Sequence, residues 1–198
     1  MIIIGLTGSI AMGKSEVANI LRMEGLPVFD ADHEVHALYD SKAGAELLRD
    51  LAPEAIIVGN VDRQRLSRLV IDDPNLLDQL ENIIHAEIAK RRKAFIHKAE
   101  MDGQGMIVAD IPLLFEKAGD KDVDVTIVVS APAEIQHKRA LDRPAMTKEK
   151  LKMILKRQMP DAEKQKRANY VIHNIGTLTD LRRETLAVLA AIRKQHRL

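Results

Sequence analysis

Apolar residues in this chain gather in short contiguous runs, with little strict alternation. Residues 2–6, 27–29, 106–109, 125–129 and 170–172 are rich in Ile and Val and are bounded by Gly, Asp, Pro or Asn, which is the pattern of short strands. Consecutive apolar positions suit strands covered by helices on both faces, so the five runs predict a five-stranded parallel sheet in a three-layer α/β fold.

Residues 31–105 carry no convincing strand pattern. Leu80, Ile84, Ile88, Phe95 and Ala99 instead keep an apolar stripe along one helix, so an all-helical insertion is expected there. Residues 130–167 also read as helical and polar, broken at Pro132, Pro144 and Pro160. Leu181, Thr185, Leu186, Leu189 and Ile192, with Arg and Glu between them, predict an amphipathic closing helix over residues 178–194.

With 198 residues, 46% hydrophobic and 30% charged, the chain is expected to form one compact globular unit, and disordered and collagen-like classes are excluded. Cysteine is absent, which removes disulfide frameworks and thiolate zinc sites and suits a reducing, cytoplasmic setting. The opening MIIIGLTGSI lacks a basic leader region and a cleavage site, and no apolar run is long enough for a bilayer, so no membrane association is expected. A net charge of +1 and aromatic content of 3% argue against nucleic acid as a partner. Charge is nevertheless uneven: residues 134–167 hold 11 Lys or Arg against 5 Asp or Glu, which suits an anionic ligand.

The candidate for that ligand's cradle is Gly8-Ser9-Ile10-Ala11-Met12-Gly13-Lys14-Ser15. It satisfies G-x-x-x-x-G-K-[ST], directly after the first strand and directly before the helical pattern that begins at Glu16. Backbone N–H groups and a helix N-terminus form an anion site, Lys14 can reach the β- and γ-phosphates of ATP, and the Ser15 hydroxyl can ligate Mg²⁺. GTPases, motor ATPases and small-molecule kinases share such a loop, so other residues must choose among them.

No N-K-x-D segment follows a strand, since Asn60 precedes Val61-Asp62 and Asn174 precedes Ile175-Gly176; the GTPase class is set aside. Asp110 ends an apolar strand, where a second partner for Mg²⁺ is needed. The second strand ends in Asp30-Ala31-Asp32, at the edge where open α/β sheets bind ligands. Asp30 reads first as a helix N-cap, and Asp32 as the group that orients an acceptor hydroxyl and takes its proton. Arg139 and Arg143, four apart on one helical face, are candidates to pack on adenine or neutralise transferring charge. Arg157 and Lys164 lie further along; for each of the four a solvated cationic face is as open a reading as function, and Arg139 and Arg143 rank above the other two. The run Lys90-Arg91-Arg92-Lys93 reads as exposed surface, and His33 and His36 as structural or surface residues without a third metal ligand.

Together, IGLTGSIAMGKS, PVFDAD, His85, DIPLLFE from Asp110 to Glu116, Gln136-His137-Lys138-Arg139, RQMP and NYVIHNIG resemble the dephospho-CoA kinase family in order and spacing along essentially the whole chain. The resemblance implies a P-loop NTPase fold with a core of residues 1–31, 106–132 and 168–198, a helical substrate-binding region at 32–105 and a helical lid at 133–167. It implies transfer of the ATP γ-phosphate to the ribose 3′-hydroxyl of dephospho-CoA, the last step of coenzyme A synthesis, by a monomer or small homo-oligomer. Asp32 then matches the proposed base. His85 falls in the substrate region, and Leu113, Leu114 and Phe115 in the segment lining the acceptor. Arg139 and Asn174 join Gly8 to Glu16 as nucleotide contacts. Ala11 stands where the family pattern has glycine, as do Ser9 at its own position and Met12 and Glu16 in place of smaller residues. Other open readings are a different small-molecule or nucleoside monophosphate kinase, a nucleotide-binding regulator without transfer activity, and a nucleic-acid binder.

Overall fold

Every predicted apolar run forms a strand in the computed structural model, which describes residues 1–197. The chain runs β1 (Ile2–Thr7), α1 (Lys14–Met23), β2 (Val28–Asp30), α2 (Ala31–Tyr39), α3 (Lys42–Leu48), β3 (Ile56–Ile57), β4 (Asn60–Val61), α4 (Arg63–Asp72) and α5 (Pro74–Met101). It continues with β5 (Met106–Asp110), β6 (Val125–Ser130), α6 (Ala133–Leu141), α7 (Lys148–Arg157), α8 (Asp161–Arg167), β7 (Tyr170–His173) and α9 (Leu178–His196). The main sheet has the order β2-β5-β1-β6-β7. β1 pairs in parallel with β5 and β6, and β6 in parallel with β7. Strand order therefore reverses around β1, which leads straight into the Gly8–Ser15 loop, as ligand sites in open α/β sheets require.

Two compact units arise: Met1–Phe29 with the chain from Ala99 onward, and Asp30–Lys98. In the first, Ile4, Leu6, Ile107, Val108, Ile127 and Val129 are all at most 1% exposed. This is the burial that doubly covered strands need, and it explains why their runs are apolar at consecutive positions. Leu181, Leu189 and Ile192 of α9 join Val17, Ile20 and Leu21 of α1 in the same core. Pro132 and Pro160 stand at the N-caps of α6 and α8, where a residue without an N–H costs the helix nothing.

The second unit packs Leu38, Leu48, Leu66, Leu80 and Ile84 into its own core. Asp30 caps α2 by accepting from His33 N–H at 3.0 Å, as its sequence context predicts. Ser41 caps α3, and Asp62 caps α4 by accepting from the N–H groups of Gln64 and Arg65. Arg63 binds Asp40 at 2.7 Å and His36 Nδ1 at 2.6 Å, and lies 5.9 Å from the centre of the Tyr39 ring. Burial pushes the Tyr39 phenol above its usual pKa, against a lowering by Arg63.

One expectation for this region is corrected: the insertion is not all-helical. β3 and β4 form an antiparallel hairpin, Ile56 opposite Val61 and Ile57 opposite Asn60. Its two-residue turn places Val58 at φ 49° and Gly59 at φ 77°, the left-handed pair of a tight hairpin turn. Strands of two residues are too short to generate a readable period.

Candidate active site

Gly8 to Ser15 connects β1 to α1, and each end of the loop is tailored. A β-carbon on Gly8 would come within 2.8 Å of the Val129 carbonyl, and one on Gly13 would collide with the side chain of Asn174. Gly13 also has φ 97°, a conformation that favours glycine. It is the N-cap of α1 and offers no side-chain cap, so the first N–H groups of that helix are left for an anion.

Lys14 Nζ lies 2.6 Å from Asp110 Oδ1, with Asp110 only 1% exposed at the end of β5. Adjacent parallel strands bring the two together, because Leu6 is in register with Asp110. The carboxylate holds the lysine at the loop. Ser15, in the first turn of α1, is exposed. Asp110 and Ser15 are hard oxygen donors of the kind Mg²⁺ accepts, and a magnesium nucleotide needs only one or two protein oxygens beyond its phosphates and waters. Among the described residues no group of three His, Asp or Glu side chains is gathered for a metal.

Asn174 follows β7 and donates from Nδ2 to the Met12 carbonyl at 3.0 Å. Arg139 donates to the Asn174 carbonyl at 3.1 Å. Two of the residues expected to touch nucleotide therefore meet each other beside the loop. Arg143 does not share their face: α6 ends at Leu141 with Asp142 as its C-cap, and Arg143 lies exposed in the turn before Pro144. The residue before a proline is pushed out of helical geometry, which undoes the four-residue spacing. Close to the loop is a cavity of about 370 Å³ whose lining includes Met12, Gln136, Asp161, Gln165, His173 and Ile175.

Of the three residues expected along the acceptor, Leu114 is fully buried and Phe115 is 4% exposed. A β-carbon on Gly5 would meet Leu114 Cδ2 at 2.9 Å, and Arg167 stacks 4.8 Å above the Phe115 ring. These two side chains belong to the packing, and Leu113 is the half-buried one. Asp32, in the first turn of α2, and His85, on α5, are both exposed and both belong to the second unit.

The basic segments are also corrected. Lys164 is not on a solvated face: it is fully buried, 2.8 Å from Glu116 Oε1. Arg91 is not simply exposed surface, since it pairs with Glu34 at 3.1 Å and Glu87 at 3.5 Å. Sequence reasoning assigned no role to Gln136, Gln158 or Glu116, although all three sit inside the motifs QHKR, RQMP and DIPLLFE.

A sequence model of the family described as dephospho-CoA kinase matches residues 2–180. This chain belongs to the dephospho-CoA kinase family. It is 45% identical over 192 residues to the dephospho-CoA kinase of Brucella melitensis, covering 97% of this chain and 96% of the relative. A solved structure from Thermus thermophilus is 39% identical with a TM-score of 0.80, covering 96% of this chain and 97% of the other. The dephospho-CoA kinase of Campylobacter jejuni is 26% identical with a TM-score of 0.74, covering 98% of each chain. As a kinase of this family, the chain moves phosphate to a hydroxyl. No described helix is long and apolar enough to cross a membrane.

Proposed function

We propose that this kinase transfers the γ-phosphate of ATP to the ribose 3′-hydroxyl of dephospho-CoA, with the loop Gly8 to Ser15 holding the phosphates and Asp32 acting as base. The Lys14–Asp110 pair at 2.6 Å carries the reading, because it supports a fixed cation at the mouth of a loop lined by backbone N–H groups. In transfer the acceptor oxygen bonds the γ-phosphorus, the bridging P–O bond breaks and ADP leaves, while the hydroxyl proton passes to the Asp32 carboxylate. Lys14 offsets charge gathering on the phosphoryl oxygens, an effect strongest where donors are preorganised. Asp110 and Ser15 are the residues that would hold Mg²⁺, which neutralises phosphate charge when bound. Arg139 and Ile175 border the region we assign to the adenine, and the neighbouring cavity of about 370 Å³ supports room for a base. A cytoplasmic setting goes with this reading.

The test is ADP release with ATP, Mg²⁺ and dephospho-CoA, comparing the native chain with Asp32→Asn and with AMP or adenosine as acceptor. Turnover with dephospho-CoA that Asp32→Asn abolishes is the expected result. Turnover that survives the substitution removes Asp32 as base, and turnover with AMP alone moves the chain to a different acceptor.

A further inference from the structure

Two glutamines bracket one residue of the phosphate loop. Gln158 Oε1, at the C-cap of α7, accepts the Ile10 N–H at 3.0 Å, and Gln136 Nε2, on α6, donates to the Ile10 carbonyl at 2.9 Å. The amide orientations are forced, because a backbone N–H needs an acceptor and a carbonyl needs a donor. A residue's N–H and C=O lie in different peptide planes. Gln158 therefore fixes the Ser9–Ile10 plane and Gln136 the Ile10–Ala11 plane, which carries the Ala11 N–H.

The next residue is where such control is needed. Ala11 has φ 62°, a left-handed conformation that costs an L-residue roughly 1–2 kcal/mol and persists where its surroundings over-determine it. Its methyl is buried with Ala140 of α6 and Leu151 of α7. Gln136 is itself only 5% exposed. Gln158 is anchored through its neighbour, since Met159 N–H donates to Glu116 Oε1 at 2.7 Å, the same oxygen that takes the buried Lys164.

We infer that Gln136 and Gln158 are positioning residues for nucleotide binding: they hold the peptide planes on either side of Ile10 so that the Ala11 N–H and those of Gly13 to Ser15 face a triphosphate, the Met12 N–H being taken by the Ser9 carbonyl at 3.2 Å. The loop is thereby tied to α6 and to the α7–α8 junction, and its affinity for nucleotide depends on two side chains that act through the backbone of Ile10. This rests on the reading that the loop takes ATP.

The experiment is calorimetric titration of ATP into the native chain, Gln136→Met, Gln158→Met and the double variant, with steady-state kinetics and thermal unfolding on the same samples. Methionine keeps the volume and removes the hydrogen bond. Gln158 is half-buried, so its variant decides the question even if Gln136→Met fails to fold. The Kd and KM for ATP are expected to rise about tenfold in each single variant, the size of one lost hydrogen bond. KM for dephospho-CoA should stay within about twofold, and the double variant should lose less than the product of the singles because both act on the two peptide planes that meet at Ile10. Adding Ala11→Gly should reduce the cost of Gln136→Met, since glycine adopts the left-handed conformation without strain. A native chain that does not bind ATP overturns the ATP reading and this inference with it. Native binding with variant affinities unchanged overturns the inference alone, even if the variants melt earlier.

Discussion

The side-chain amide of Asn174 occupies the place that a β-carbon on Gly13 would need, and does so while donating to the Met12 carbonyl at 3.0 Å. Gly13 is thus demanded twice, by its φ of 97° and by a neighbour that reaches it from the far end of the sheet. Gly13→Ala should weaken ATP binding about tenfold or more, since both strain and displacement of Asn174 act on the loop. Asn174→Ala in the same chain should recover part of the loss. Calorimetric titration of the two single variants and the double variant checks this.

The Lys14–Asp110 pair predicts a kinetic effect. Lys14→Met should lower kcat by about 10²–10³-fold, the usual consequence of losing one preorganised donor at developing charge. Single-turnover ADP formation measures it, and a smaller loss than tenfold would show that Lys14 contributes little to transfer.

The Lys164–Glu116 pair predicts a stability effect. The Lys164 ammonium is fully buried, and Glu116 Oε2 is buried without a hydrogen-bond partner. Lys164→Met leaves the carboxylate without its cation and should cost about 3–5 kcal/mol. Lys164→Met with Glu116→Gln should restore a good share of it. Urea unfolding of the three variants gives the comparison.

Acid sensitivity should come in part from helix caps. The Thr177 hydroxyl and N–H hold Asp180 below the ordinary aspartate range, with Arg183 adding to the effect. The backbone N–H of Arg65, followed by that of Gln64, does the same for Asp62. A carboxylate with a lowered folded pKa binds protons less readily in the native state. Its contribution is therefore present above the unfolded aspartate value of about 3.9 and is lost as pH falls through the lower folded value. The difference in urea midpoint between the native chain and Asp180→Asn should accordingly be larger at neutral pH than near pH 3; a gap independent of pH would remove Asp180 from the acid response.

Legibility followed locality. The five strands were readable because double coverage makes their residues apolar at consecutive positions, and the Asp30 cap because an N-cap bonds three residues ahead. The β3–β4 hairpin was not, since two paired residues on each side leave no period. Arg143 was misplaced by a helix end that Pro144 imposes two residues after the cap. The burial of Lys164 is not legible in sequence, because a lysine in a charged stretch carries no mark of it. Only its distant partner Glu116 makes burial tolerable.

By itself the sequence determined the strand set, the phosphate loop with its Lys14 and Ser15, and the family, because each of these is written in residues close together along the chain. Tertiary structure decided which side chains govern the loop. Gln136 and Gln158 lie 126 and 148 positions from Ile10, and Asn174 lies 162 from Met12. A hydrogen bond needs donor and acceptor within about 3 Å, and only the parallel sheet, with its crossing helices, brings residues so far apart in sequence to that distance.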